Sequence, residues 1–149
     1  MKFEGEYLNG IRWIGKWKEF NSNGNLIFEG EYLNGIKWNG KGKEYYDNGN
    51  LKFEGEYING KRNGKGKEYD EEGHLKFEGE YLNGKRNGKG KEYYEDGKLE
   101  FEGEYLNGKR NGRGKEYYDE GKLKFEGIYL NGERALGKLY NKNGDFYCN

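Results

Sequence analysis

Apolar and polar residues alternate along a short segment that recurs throughout this chain. In residues 75–82, Leu-Lys-Phe-Glu-Gly-Glu-Tyr-Leu, the odd positions place Leu, Phe, Gly and Tyr on one face. The even positions begin with Lys, Glu and Glu, which share the other face. Such alternation is typical of a β-strand with one buried face. Residues 83–88 then read as a loop, residues 89–94 as a return strand, and Asp96-Gly97 as a tight turn.

The strand pair repeats with a nearly constant period. Phe-Glu-Gly-Glu-Tyr occurs five times and returns once as Phe-Glu-Gly-Ile-Tyr, at spacings of 24 or 25 residues. A fixed period of this length indicates an array in which each unit is completed by its neighbours. We therefore expect one array over residues 1–149, with repeats that begin near residues 3, 28, 53, 77, 101 and 125. The last repeat is degraded at Ile128 and Ala135-Leu136, which is typical of a cap.

These strands predict an all-β fold, an elongated single-layer antiparallel sheet of consecutive β-hairpins. Accumulated right-handed twist should roll this ribbon and leave a concave groove lined by aromatic rings. The predicted groove residues are Phe28, Tyr32, Phe53, Tyr57, Phe77, Tyr81, Phe101, Tyr105, Phe125 and Tyr129.

A two-residue turn at Asp96-Gly97 fixes a register for the neighbouring strands. It places Tyr94 opposite Leu99, Glu92 opposite Phe101, Gly90 opposite Gly103, and lysines opposite glutamates on the other face. The same register puts a recurrent aromatic residue on the charged face and a recurrent glutamate among the phenylalanines. A β-bulge in each return strand, or a solvated groove, would each resolve this conflict, and both alternatives stay open.

Composition allows either an ordered array or a disordered chain. Hydrophobic residues make up 32% and charged residues 36%, which favours disorder. Zero net charge and 17% aromatic residues favour order, because each ring buries a large area. The single cysteine, Cys148, excludes an intrachain disulfide, and no run of 18 apolar residues occurs. We expect a cytoplasmic protein, with peripheral attachment to a membrane as the alternative.

The inventory of reactive side chains argues against catalysis. The chain has one histidine, His74, one serine, Ser22, and one cysteine, and it lacks threonine and glutamine. A nucleophile and its base would have to meet across several repeats, and too few residues of the usual types are available for a metal. We expect no catalytic residues, no metal site and no cofactor.

The charges separate into two edges. The predicted turns on one edge are rich in Asp and Glu, and those on the other form a basic edge of Arg12, Lys37, Lys61, Arg62, Lys85, Arg86, Lys109, Arg110 and Arg134. A basic edge favours an anionic partner such as lipid headgroups or an acidic protein. The alternative is a solubilising edge that discourages strand addition. We expect no nucleic-acid binding, because the glutamates beside the lysines would repel phosphates.

The first two repeats each carry a tryptophan in the predicted loop on the basic edge, and the later repeats do not. Trp13 and Trp38 each lie beside a basic residue in a predicted loop, which is typical of an interface anchor. The alternative is a local cap in which each ring folds over the sheet.

The repeat unit resembles a known motif. Residues 101–114, Phe-Glu-Gly-Glu-Tyr-Leu-Asn-Gly-Lys-Arg-Asn-Gly-Arg-Gly, followed by Gly121, are similar to the MORN repeat (membrane occupation and recognition nexus). The period is longer than the usual 23, and the opening ring is Phe rather than Tyr. The resemblance implies an elongated hairpin array, and the Lys-Glu-Tyr-Tyr segment is closer to a bacterial variant of which some members are labelled antitoxins.

We therefore expect a non-enzymatic scaffold that binds a protein or peptide segment in its aromatic groove. One alternative is attachment to an anionic membrane through the basic edge. The others are homo-oligomerisation through the terminal edge strands and, on resemblance alone, an antitoxin role.

Overall fold

The chain forms one long antiparallel sheet of consecutive hairpins. The computed structural model describes residues 2–33, 36–37 and 40–147, and in these ranges the chain contains strands and turns but no helix. Strand neighbours follow chain order, except that β4 pairs only with β3. The predicted all-β single-layer fold is confirmed. The strands are β1 (Lys2–Leu8), β2 (Ile11–Phe20), β3 (Leu26–Leu33), β4 (Ile36–Lys37), β5 (Gly40–Tyr45), β6 (Leu51–Ile58), β7 (Lys61–Tyr69), β8 (Leu75–Leu82), β9 (Lys85–Tyr93), β10 (Leu99–Leu106), β11 (Lys109–Tyr117), β12 (Leu123–Leu130), β13 (Glu133–Tyr140) and β14 (Phe146–Tyr147).

The Asn-Gly turns are shorter than the loops predicted from the sequence. Asn83 and Gly84 have φ values of 51° and 86°, and Leu82 pairs with Lys85 directly across them. Two residues of positive φ make the type I′ turn that suits the twist of a hairpin. The predicted loop over residues 83–88 is therefore wrong, and Arg86 lies within a strand.

The turns at the opposite edge are longer than predicted. The Tyr94 N–H donates to the Lys98 carbonyl at 2.9 Å, the Gly97 N–H donates to the Tyr94 carbonyl at 2.9 Å, and Gly97 has a φ of 82°. This is a three-residue turn closed by a glycine of positive φ, so the predicted two-residue turn is wrong. Leu99 consequently lies opposite Tyr93 instead of Tyr94.

A β-bulge then restores the predicted register. One extra residue between Leu99 and Phe101 brings Phe101 opposite Glu92 and Gly103 opposite Gly90, as the sequence predicted. The register does not exchange the two faces, so the recurrent glutamates do lie on the face of the phenylalanines. The other face carries the paired lysines and glutamates.

The core is a continuous row of rings on one face of the sheet. Phe53 contacts Tyr57 of its own repeat at a centroid distance of 5.7 Å and Tyr81 of the next at 5.2 Å, both edge to face. The same contacts recur from Phe77 to Tyr105. Glycine is required beneath the rings, because a Cβ on Gly55 would lie 2.7 Å from Phe53 Cζ. Rings of neighbouring repeats therefore bury one another without a second layer.

Candidate functional site

The predicted groove rings form the buried core of the sheet. Phe53, Phe77 and Phe101 are 0% exposed, and the tyrosines that lie between them are only 4% exposed. The aromatic row is confirmed as a cluster along the sheet, but its rings are not open to a partner. The Tyr32 side chain lies outside the described residues.

Carboxylates complete the ring face. Glu68 accepts hydrogen bonds from the Tyr81 hydroxyl at 2.6 Å and from Arg86 Nη2 at 2.7 Å. Burial would raise the pKa of Glu68, but these hydrogen bonds and the charges of Arg86 and Arg62 outweigh burial and lower the pKa. The glutamates are thus stable among the phenylalanines because the next repeat supplies both donors.

Each of these arginines binds two kinds of group at once. Arg86 Nη1 contacts Glu92 at 3.0 Å, so the side chain bridges the carboxylates of two repeats. Its guanidinium also lies 4.0 Å from the centroid of the Phe77 ring. Planar guanidinium groups suit both contacts. We call this alternating set of carboxylates and guanidiniums the Glu–Arg ladder; its members are Glu44, Arg62, Glu68, Arg86, Glu92, Arg110, Glu116 and Arg134.

The ladder stops in the last repeat. Glu116 binds Arg134 and also Lys124, whose Nζ lies 2.8 Å away. On β13 the equivalent position, opposite Phe125, holds Leu139. A carboxylate at that position would find no arginine of a following repeat among the residues described, and leucine avoids this cost.

The predicted basic edge divides into two sets. Arg62, Arg86, Arg110 and Arg134 belong to the ladder, whereas Lys61, Lys85 and Lys109 are exposed beside the Asn-Gly turns. The side chains of Arg12, Trp13 and Lys37, and the whole of Trp38, lie outside the described residues. Sequence reasoning missed the ladder because it placed the arginines in loops.

The recurrent tyrosines of the return strands lie on the opposite face. The Tyr69 hydroxyl donates to Glu54 at 2.8 Å, and the Tyr93 hydroxyl donates to Glu78 at 2.6 Å. Burial, together with the hydrogen bond to Glu54, raises the pKa of Tyr69 to about 12. Glu54 and Glu78 belong to one row of carboxylates on the charged face, and these carboxylates therefore already accept hydrogen bonds within the chain.

The open groove of the described structure runs along this charged face. Its volume is about 1180 Å³, and it spans strands from β2 to β11. We call it the charged groove: a floor of paired glycine backbones lies between two rows of alternating Lys and Glu side chains. Its glycines are Gly30, Gly42, Gly55, Gly66, Gly79, Gly90 and Gly103.

The charges along one wall of the groove are unequally satisfied. One carboxylate oxygen of Glu56 accepts a hydrogen bond from the Lys65 backbone N–H at 3.0 Å, and one of Glu80 accepts a hydrogen bond from the Lys89 backbone N–H at 3.2 Å. No ion pair of the Lys65 or Lys89 ammonium group occurs in the described part of the chain. In the other wall, Lys67 does pair with Glu78, at 3.8 Å. The groove therefore offers a row of cations available for another charge.

Aliphatic side chains form the lip of the same face. Ile58, Leu82 and Leu106 are about half exposed, at 49%, 50% and 50%. Each stands at the end of a strand directly opposite a lysine across the Asn-Gly turn. We call this row of aliphatic and lysine side chains the turn rim: Ile58, Lys61, Leu82, Lys85, Leu106 and Lys109.

One acidic cluster has an explanation within its own turn. Ligand atoms of Asp70, Glu72 and His74 lie within 4.8 Å of one another. Asp70 accepts the backbone N–H groups of Glu72 and His74, and it lies 3.1 Å from His74 Nδ1. Asp in a turn commonly makes such local bonds.

Comparisons with known proteins agree with this architecture. The MORN repeat matches residues 53–74, 77–98 and 101–122, and a MORN repeat variant matches residues 14–34 and 38–59. These matches cover about five repeats, so the count of six is approximate. No curated protein matches the chain. Within the described ranges, no helix is long and apolar enough to cross a membrane. The glycine pattern, the hairpin sheet and the matched repeats together show that this chain belongs to the MORN-repeat family.

Proposed function

We propose that this protein is a non-enzymatic scaffold that holds a linear segment of a partner protein in its charged groove. The proposal rests on one observation: an open groove crosses nine strands while the aromatic rings are buried behind it. The partner surface thus moves from the ring face, which the sequence favoured, to the opposite face. MORN arrays are consistent with such a scaffold role.

Side chains would carry the recognition. The backbone groups of the groove floor are already paired between neighbouring strands, so a ligand cannot be added there as a further strand. The cations at Lys41, Lys65 and Lys89 recur on every second strand, at a spacing of about 10 Å. The segment that fits this pattern carries acidic side chains at that interval, with basic side chains between them to meet the wall glutamates.

The core behind the groove supports binding indirectly. Phe rings, guanidiniums and carboxylates tie each repeat to the next, so the two walls are held in position before a ligand arrives. A preorganised surface loses less conformational entropy on binding.

The test uses selection of random linear peptides followed by charge reversal in the groove. Peptides enriched on the wild-type chain should carry regularly spaced acidic residues. Lys65→Glu together with Lys89→Glu should abolish their binding, measured by fluorescence anisotropy. The matched control, Lys85→Glu with Lys109→Glu, changes the same charges on the turn rim and should leave binding unchanged. Equal binding by both double variants would contradict the proposal.

A second candidate is attachment to an anionic membrane through the turn rim. It is favoured by the alternation of half-exposed aliphatic side chains with lysines, which suits an interface of acyl chains and phosphates. In flotation with vesicles that contain phosphatidylserine, the Lys85→Glu, Lys109→Glu variant should lose binding and the groove variant should retain it. Flotation of the wild type that ignores the phosphatidylserine content would exclude this candidate.

A further inference from the structure

The charged groove changes character at its C-terminal end. Along one wall the cross-strand pairs consist of a glutamate and a cation, as in Lys65 opposite Glu80 and Lys89 opposite Glu104. The next pair along this wall is Arg113 opposite Ile128, and in the last hairpin Ile128 also lies opposite Leu136, which stands at the position that Arg113 holds in the preceding hairpin. An apolar pair thus stands where the preceding repeats place charges.

This pair lines a hollow that continues the groove. The hollow has a volume of about 540 Å³, and Ile128 and Leu136 are its large aliphatic lining residues. Glu102 and Arg113 line both the hollow and the main groove, so the two share a wall. A segment that follows the groove toward β13 would reach the apolar pair.

The fold itself gains little from this pair. Leu136 is 74% exposed, the most exposed of the large hydrophobic side chains described, so it buries little area within the chain. Its side chain lies on the charged face, away from the ring cluster that includes Phe125 and Tyr129. A ligand that covers it would remove this apolar surface from water.

We propose that Ile128 and Leu136 form an anchor subsite for one large apolar side chain, such as Leu, Ile, Met or Phe, at one end of the bound segment. The inference rests on the proposed function and adds the chemistry and the direction of the ligand. The segment has acidic and basic side chains along the charged groove, and its apolar residue lies at the C-terminal end of the array.

The experiment restores charges that other repeats already carry. In the variant Ile128→Glu, Leu136→Arg, both substitutions copy Glu104 and Arg113 of the preceding hairpin, so folding should be preserved and is checked by circular dichroism. Random linear peptides are selected on the wild type, on this variant and on a control, Leu106→Glu, which removes an exposed leucine from the turn rim.

Peptides from the wild type and from the control should share a large apolar residue at one end, and the anchor variant should bind them about tenfold or more weakly. Peptides selected on the anchor variant should lack this residue. If the anchor variant selects and binds the same peptides as the wild type, the anchor subsite is refuted while the groove stands. If no folded protein enriches any peptide, the proposed function falls, and the anchor falls with it.

Discussion

Replacement of Arg86 by alanine should remove a junction between two repeats. The guanidinium contacts Glu68 at 2.7 Å, Glu92 at 3.0 Å and the ring of Phe77 at 4.0 Å, and its side chain is 24% exposed. The variant therefore loses two charge-assisted hydrogen bonds and one cation–π contact. It also leaves two partly buried carboxylates with fewer partners.

The expected cost is about 2–4 kcal/mol. Hydrogen bonds to charged groups contribute about 1.5–3 kcal/mol each, and a cation–π contact contributes about 0.5–2 kcal/mol. The expected cost lies at or below the lower end of this sum, because Glu68 keeps Tyr81 and Arg62, and Glu92 keeps Arg110. Removing one partner of a buried charge pair is costly in general, since the other charge is left unpaired.

Urea unfolding followed by circular dichroism measures this cost. The midpoint for Arg86→Ala should fall by about 1 M or more, whereas Lys85→Ala, an exposed neighbour, should change the free energy of unfolding by less than about 0.5 kcal/mol. Hydrogen exchange should place the weakened region between β7 and β10, because each repeat contacts only its neighbours. A double-mutant cycle with Glu68→Gln should give a coupling energy of about 1–3 kcal/mol. Equal midpoints for the Arg86 and Lys85 variants would refute the role of the ladder.

Three further changes test other parts of the fold. Gly55→Ala should lower the free energy of unfolding by about 1–3 kcal/mol, since its Cβ would lie 2.7 Å from both Phe53 Cζ and the Lys65 carbonyl oxygen. Lys43→Ala is the control, and equal urea midpoints for the two variants would contradict the close approach. Alkali should destabilise the array. Burial and the glutamate partners raise the folded-state pKa values of Tyr45, Tyr69 and Tyr117 to about 12. The stability that these tyrosines contribute below their unfolded-state pKa of about 10 is therefore lost as the pH rises toward 12. Tyrosinate absorbance measures the ionisation, and urea midpoints across this pH range measure the loss of stability. A urea midpoint that does not change with pH would contradict the prediction. Leu139→Glu should cost about 1–3 kcal/mol because the described chain offers that carboxylate no arginine of a following repeat, while Lys138→Glu should cost little. A neutral Leu139→Glu would show that the position tolerates charge.

Much of the fold could be predicted from the sequence because its determinants are local. The alternation around Phe77 and the fixed period are enough to predict paired strands, and the facing glycines fix their register. The turns were harder, because Asn83-Gly84 and Asp96-Gly97 both read as turn signals while their lengths depend on how the flanking strands pair. An error of a few residues there moved Arg86 from a strand into a loop.

The location of the groove could not be predicted for a related reason. With Arg86 assigned to a loop, the sequence offered no cation to pair with the Glu92 carboxylate on the ring face. The rings on that face were therefore predicted to be accessible to a partner. The structure shows that Arg86 and Arg110 cover the rings. The groove on the charged face is lined by residues of nine strands, and no single repeat contains that information.

The ladder also has a consequence for the length of the array. The carboxylate of each interior repeat is completed by the arginine of the following one, as Glu68 is by Arg86. Excision of residues 77–100, one unit of 24 residues, would bring Arg110 to Glu68 and leave no charge unmatched at the new junction. Removal of part of a unit would leave a carboxylate beside a phenylalanine ring without its arginine. Such an array can be shortened or extended by gene duplication and loss in whole units, and the length of its groove would change in the same steps.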